Sequence, residues 1–222
     1  MAINLIKGQR IDLKKSTGAA LNDFCVGVNW GGIETKGGFL GLSKTVQEVD
    51  LDLSAALLDT QGALCDHIYS PLYKPEMLAK FGLPPGKLTA ASGALRHTGD
   101  DRAGDSGGDD GLDNEIITVN LNKVPANVGQ ILFFLNNCGG EDFSVIPYAK
   151  IRMFEGTPTV VKDVFASYNV AAEPQYRGKR ALILGRLYRH GSEWKFAAIG
   201  DPTDDVFVGQ TVARIAKEYN HS

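Results

Sequence analysis

Residues 96–121 read RHTGDDRAGDSGGDDGLDNEIITVNL. The final letters, EIITVNL, alternate apolar and polar in the manner of a half-buried strand. The letters before them are glycines and acids, which cannot extend a strand and instead make a long turn. The same alternation recurs outward from this point. Residues 24–30, 48–53, 115–121, 130–135, 148–154, 180–187 and 194–199 all carry strand periodicity, separated by Gly, Asn, Asp and Pro clusters. The 26 glycines suit many tight turns better than long helices.

Two segments have helical character. Residues 75–81 form a short candidate with Pro75 in its first turn. Near the C-terminus Val208, Val212, Ile215 and Tyr219 recur at helical spacing, and their apolar stripe is expected to pack on a sheet. Many short strands with so little helix predict a mainly β protein, a β-sandwich of two sheets. The short helix falls in an insertion over residues 70–92, the other helix ends the fold, and no linker divides residues 1–222, so a single domain is expected.

Bulk properties narrow the function classes. Hydrophobic residues make up 43% and charged residues 22% of the 222, which is ordinary for a soluble protein. The net charge is only -3, with Lys and Arg scattered, so no nucleic-acid partner is expected. No apolar run approaches the roughly 20 residues that cross a bilayer, so no direct membrane insertion is expected. The start, MAINLIKGQRIDLKK, does not resemble a signal peptide. Cys25, Cys65 and Cys138 lie far apart, which fits a reducing cytoplasm and argues against structural zinc.

Gly-Asp-Ser-Gly-Gly, at residues 104–108, is the string that surrounds a serine-protease nucleophile. That reading fails on its surroundings. A nucleophilic Ser106 needs a base, and none of His67, His97, His190 and His221 has the expected context. Asp100, Asp101, Asp105, Asp109, Asp110, Asp113 and Glu115 crowd around Ser106 and would oppose a developing oxyanion.

Crowded carboxylates favour a cation instead. They repel one another unless a positive charge or solvent separates them. Calcium takes six to eight oxygens in flexible geometry, and the loop offers carboxylates and carbonyls in quantity. A second acidic pair lies in QEVDLDLSAALLD, where Asp50 and Asp52 alternate with Val49, Leu51 and Leu53. Two aspartates on one face of an apolar strand need a neutralising partner, and a sheet edge beside the acidic loop would supply one. The loop matches neither an EF-hand nor a calcium-binding β-helix repeat.

HTGDDRAGDSGGDDG followed by EIITVNL resembles the signature of the TerD family of tellurium-resistance and stress-response proteins. KGQRIDL, VDLDLSAALLD, VPANVGQILFFL, LYRHGSEWKFAAIGD and ARIAKEY resemble further family segments in the expected order. The resemblance implies a cytoplasmic, non-enzymatic β-sandwich that binds calcium ions and works with other stress-resistance proteins, including a membrane-bound partner. By motif it puts Asp50 and Asp52 on the Asp-x-Asp-x-Ser strand and Asp100, with Asp101, after His-Thr-Gly. Asp109 and Asp110 match the Gly-Asp-Asp pair and Glu115 the glutamate that follows. Two departures stand out: NWGG replaces Gly-Trp-Asp, and residues 111–114 intervene before Glu115, putting Asp113 or Asn114 forward as alternative ligands. The competing readings are a magnesium-dependent hydrolase using the same acids and an interaction module whose acidic loop is merely solvated.

Overall fold

Alternation in the strand after the acidic loop sets the layers. Ile117 and Val119 bury into a core shared by two sheets, while Ile116 packs on the opposite side with Cys25 and Phe154. The computed structural model describes residues 3–4, 6–15, 17–37, 43–169 and 174–220; His221 lies outside them.

The first sheet has six strands in the order β1 (Ile3–Asn4), β12 (Val160–Asn169), β11 (Ala149–Thr157), β3 (Asp23–Trp30), β9 (Glu115–Asn120) and β8 (Leu95–His97). The second also has six: β2 (Arg10–Asp12), β14 (Glu193–Thr203), β13 (Ala181–His190), β10 (Val128–Asn137), β6 (Leu51–Asp59) and β7 (Leu64–Ile68). All these pairings are antiparallel except β1 with β12. A separate hairpin joins β4 (Ile33–Gly37) to β5 (Ser43–Gln47).

The core between the sheets holds Val26, Val28, Trp30 and Met153 from one side and Leu53, Leu57, Phe133 and Leu184 from the other. Each such side chain contributes about 1.5–3 kcal/mol on burial. The second sheet is covered on its outer face too. There α2 (Val208–Glu218) lays Val208, Val212 and Ile215 against Ala56, Leu58, Leu132 and Phe134. The C-terminal stripe is therefore core packing, as its spacing predicts. The short helix α1 (Pro75–Ala79) sits in the insertion and adds Leu78 to the same cluster.

The expected strand over 48–53 is shifted. Observed β6 begins at Leu51 and runs to Asp59, because both faces of LSAALLD are covered and its burial is nearly continuous. A strand buried on both sides loses the alternation that marks a half-buried one. Short strands such as β2, β7 and β8, and the long β12, carried no clear period and were not expected.

Candidate cation site

Three features of the fold bring the acids together. First, β7 pairs only with residues 55–58 of β6, so the start of β6 is locally an edge. Second, the loop after β8 crosses this edge and is tied down by its backbone: Val49 N–H donates to the Ala103 carbonyl at 3.2 Å, and Asp105 N–H to the Trp30 carbonyl at 2.9 Å. Third, buried Trp30 reaches across the same junction, its indole Nε1 donating to the Val49 carbonyl at 2.7 Å. Gly104 lies against this indole with φ +68°, and a Cβ there would stand 2.5 Å from the ring. Only glycine fits a left-handed backbone pressed so closely on a side chain.

Asp52, Asp100 and Glu115 converge at this junction, with ligand oxygens that all lie within 4.8 Å of one another. Glu115 is fully buried. Its Oε2 accepts the open-edge N–H of Leu53 at 2.6 Å, and its Oε1 accepts the Asp101 N–H at 3.0 Å. A carboxylate has about four lone-pair positions, so both oxygens keep capacity for a further partner. Buried His97 accepts the Gly99 N–H at Nδ1, which leaves the Nε2 proton facing Glu115 Oε2 at 3.3 Å. Asp50 stands beside the trio, 3.9 Å from the Arg102 guanidinium, with its Oδ1 buried and without a hydrogen-bond partner.

The carboxyls resist ionisation here. Burial pushes Asp50 up to about 6, with the Asp100 charge adding to it. Burial pushes Asp52 up to about 8, although hydrogen bonds with Tyr73 and Cys138 pull the other way. Glu115 is raised by burial as well, against the opposing His97 contact and its two backbone donors. A cleft of about 370 Å³ opens from this cluster, lined by Asp50, Asp52, Asp100, Tyr73, Arg102 and Cys138.

The remaining expected residues go elsewhere. Asp101 gives its backbone N–H to Glu115, but its carboxylate caps the N–H groups of Ala103 and Gly104 and accepts from Asn114. Asp109 is paired with the Lys150 ammonium, which first among its contacts holds its carboxyl below the usual range. Asp110 is exposed and lines a second acidic cleft of about 390 Å³ with Asp101, Asp105 and Asn114. Asp113 is not brought into the cluster: its two oxygens each take the Arg152 Nε at 2.9 Å. Asn114 is a structural cross-link, accepting from Trp30 N–H at 2.8 Å and donating to Asp101 and Asp105. The insertion thus leaves Glu115 in place. Tyr73 and Cys138 were not foreseen at the site, since neither has a local signal and only the insertion and the β6–β10 pairing bring them there.

The donor set suits a hard divalent ion. Carboxylates predominate, they are too close to ionise together unaided, and a buried Asp50 oxygen has no protein partner. Among the described residues no helix is long and apolar enough to cross a membrane.

Comparison with known proteins agrees with the fold and the motifs. A family model for the TerD domain matches residues 1–219. Stress response protein SCP2 of Bacillus subtilis is 35% identical over 220 residues, covering 96% of this chain and 99% of that protein. Tellurium resistance protein TerZ of Serratia marcescens is 29% identical over 198 residues, covering 89% of each. A solved homologue of telluride resistance protein TerD from Streptomyces coelicolor superposes with a TM-score of 0.59 at 13% identity, over 90% of this chain and 98% of that one.

Proposed function

The chain belongs to the TerD family of tellurium-resistance and stress-response proteins, and from that membership we propose that it is a cytoplasmic calcium-binding protein without catalysis of its own. Calcium bound among Asp50, Asp52, Asp100 and Glu115 would supply the positive charge that lets these carboxyls ionise side by side. The observation that carries the reading is the convergence of three carboxylates within 4.8 Å beside the unpartnered Asp50 oxygen.

The chain's own residues turn occupancy into order. Glu115 clamps Leu53 of β6 and the Asp101 backbone at once, so its charge state is coupled to the path of the acidic loop. The Asp101 carboxylate then fixes the next turn through Ala103 and Gly104. An ordered loop beside exposed Leu72 and Arg102 presents a defined surface for other stress-resistance proteins, including a membrane-bound partner. A hydrolase would need a base open to the cleft, whereas the His97 side chain is 5% exposed and engaged with Gly99 and Glu115.

Thermal unfolding of the chelated protein with added calcium or magnesium tests the reading. Calcium is expected to raise the melting temperature in a saturable way. A melting temperature that millimolar calcium does not move would remove the calcium assignment.

A further inference from the structure

We propose that Tyr148, Lys150 and Arg152 form a strap that holds the acidic loop in place without metal and so readies the cation site for its ion. They are positioning residues, acting through the loop rather than as ligands. The inference rests on the cation reading above for the ion concerned.

Alternation along β11 places the strap. Ala149, Ile151 and Met153 enter the core, so Tyr148, Lys150 and Arg152 face outward. Each takes one acid of the loop. Tyr148 Oη donates to Asp105 Oδ2 at 2.8 Å, and the Lys150 ammonium pairs with Asp109. Arg152 donates from Nε to Asp113 and from Nη2 to the Gly111 carbonyl, both at 2.9 Å. The floor beneath leaves room for these contacts. A Cβ at Gly31 would stand 2.6 Å from the Tyr148 ring, and one at Gly27 would stand 2.3 Å from Asp113. Between the two glycines, Asn29 Nδ2 donates to Asp109 Oδ1 at 3.0 Å and to the Leu112 carbonyl.

A path of hydrogen bonds leads from the strap to the cluster. Asn114 Nδ2 donates to Asp105 at 3.1 Å and to Asp101 at 3.2 Å, and the Asp101 N–H donates to Glu115 at 3.0 Å. Tyr148 therefore fixes Asp105, Asp105 sets Asn114, and Asn114 sets the turn that carries Asp101 and its neighbour Asp100. Charge supports the same reading. Lys150 and Arg152 neutralise Asp109 and Asp113 before any ion arrives, so the outer half of the loop is ordered by the chain's own cations. A loop already ordered loses less freedom when the ion binds, which strengthens binding.

The test compares the full-length wild type with Tyr148→Phe and Lys150→Met. Backbone amide NMR relaxation of residues 106–112 is measured in the chelated protein, and calcium affinity by calorimetry. Both variants should raise the mobility of 106–112 and weaken calcium binding about two- to fivefold, the scale of one exposed contact. Saturating calcium should still raise the melting temperature of each, because no ligand is lost. Lys150→Met gives the sharper reading. Removing a cation beside acids would by charge alone tighten calcium binding, so weaker binding separates positioning from electrostatics. Should Tyr148→Phe fold poorly, Lys150→Met carries the test, since its side chain is 49% exposed. Calcium affinity unchanged or tightened in Lys150→Met, or unchanged relaxation of 106–112, would overturn the proposal. A wild type that binds no calcium would overturn the calcium reading instead. The strap would then be upheld by looser 106–112 in the variants and overturned by unchanged relaxation.

Discussion

Asp52 and Asp109 carry the same side chain and meet opposite surroundings. Asp52 is buried against Asp100 and Glu115, so its charge is a liability until a cation offsets it. Asp109 has its own cation in Lys150, with side chains 29% and 49% exposed. Asp52→Asn is therefore expected to leave the calcium-free protein at least as stable as wild type while abolishing the calcium-induced shift in melting temperature. Asp109→Asn should cost only about 0–1 kcal/mol, as exposed ion pairs do, and should keep the shift. Paired thermal scans with calcium and with chelator check both, and a shift retained by Asp52→Asn would count against the site. The sequence made both residues candidates because it shows the acids but not their counter-ions. Lys150 and Arg152 come from β11, far along the chain, and select Asp109 and Asp113 out of the cluster. Asp52, Asp100 and Glu115 were legible because a strand pattern and a Gly-Asp loop each mark where charge is gathered.

Elements hold these residues in register. In β3, Gly27 leaves room for Asp113, and a Cβ at that position would come within 2.3 Å of Asp113 Oδ2. Gly27→Ala should displace the Asp113–Arg152 pair and destabilise the protein by roughly 1–3 kcal/mol, the usual cost of overpacking. A urea midpoint equal to wild type would show that the pair can shift freely. Trp30→Phe keeps most of the apolar volume but leaves the buried Val49 carbonyl without its indole donor, at about 1–3 kcal/mol. The same assay reads it, and a negligible loss would mean the Trp30–Val49 tie is dispensable. The half-buried strand β11 and the C-terminal helix α2 were readable from period alone, while α1 was marked by Pro75 in its first turn. The extent of β6 was not, because LSAALLD is covered on both faces and loses its alternation.

At the scale of the whole molecule, the acidic cluster links stability to pH. Asp50 titrates near about 6 and Asp52 near about 8 in the fold, above the 3.8 of a free aspartate. The folded state then binds more protons than the unfolded one across that window, so stability falls as pH rises. Without calcium, the urea midpoint of wild type relative to that of Asp52→Asn should decline from about pH 4 towards about pH 8, a comparison that cancels the carboxyls held below the usual range elsewhere, such as Asp66 and Asp142. A difference that does not change with pH over this range would contradict the burial of Asp52. The sandwich was readable from turns and alternation, and the covering of its outer face by α2 followed from helical spacing. The junction where β7 stops short and the acidic loop crosses β6 could not be read, because it depends on pairing lengths that no local pattern encodes. The most direct test of the account is a calorimetric titration of calcium into the chelator-treated full chain, run beside Asp52→Asn. Saturable binding by wild type, lost in the variant, is the predicted result; no binding at millimolar calcium, or binding unchanged by Asp52→Asn, would contradict it.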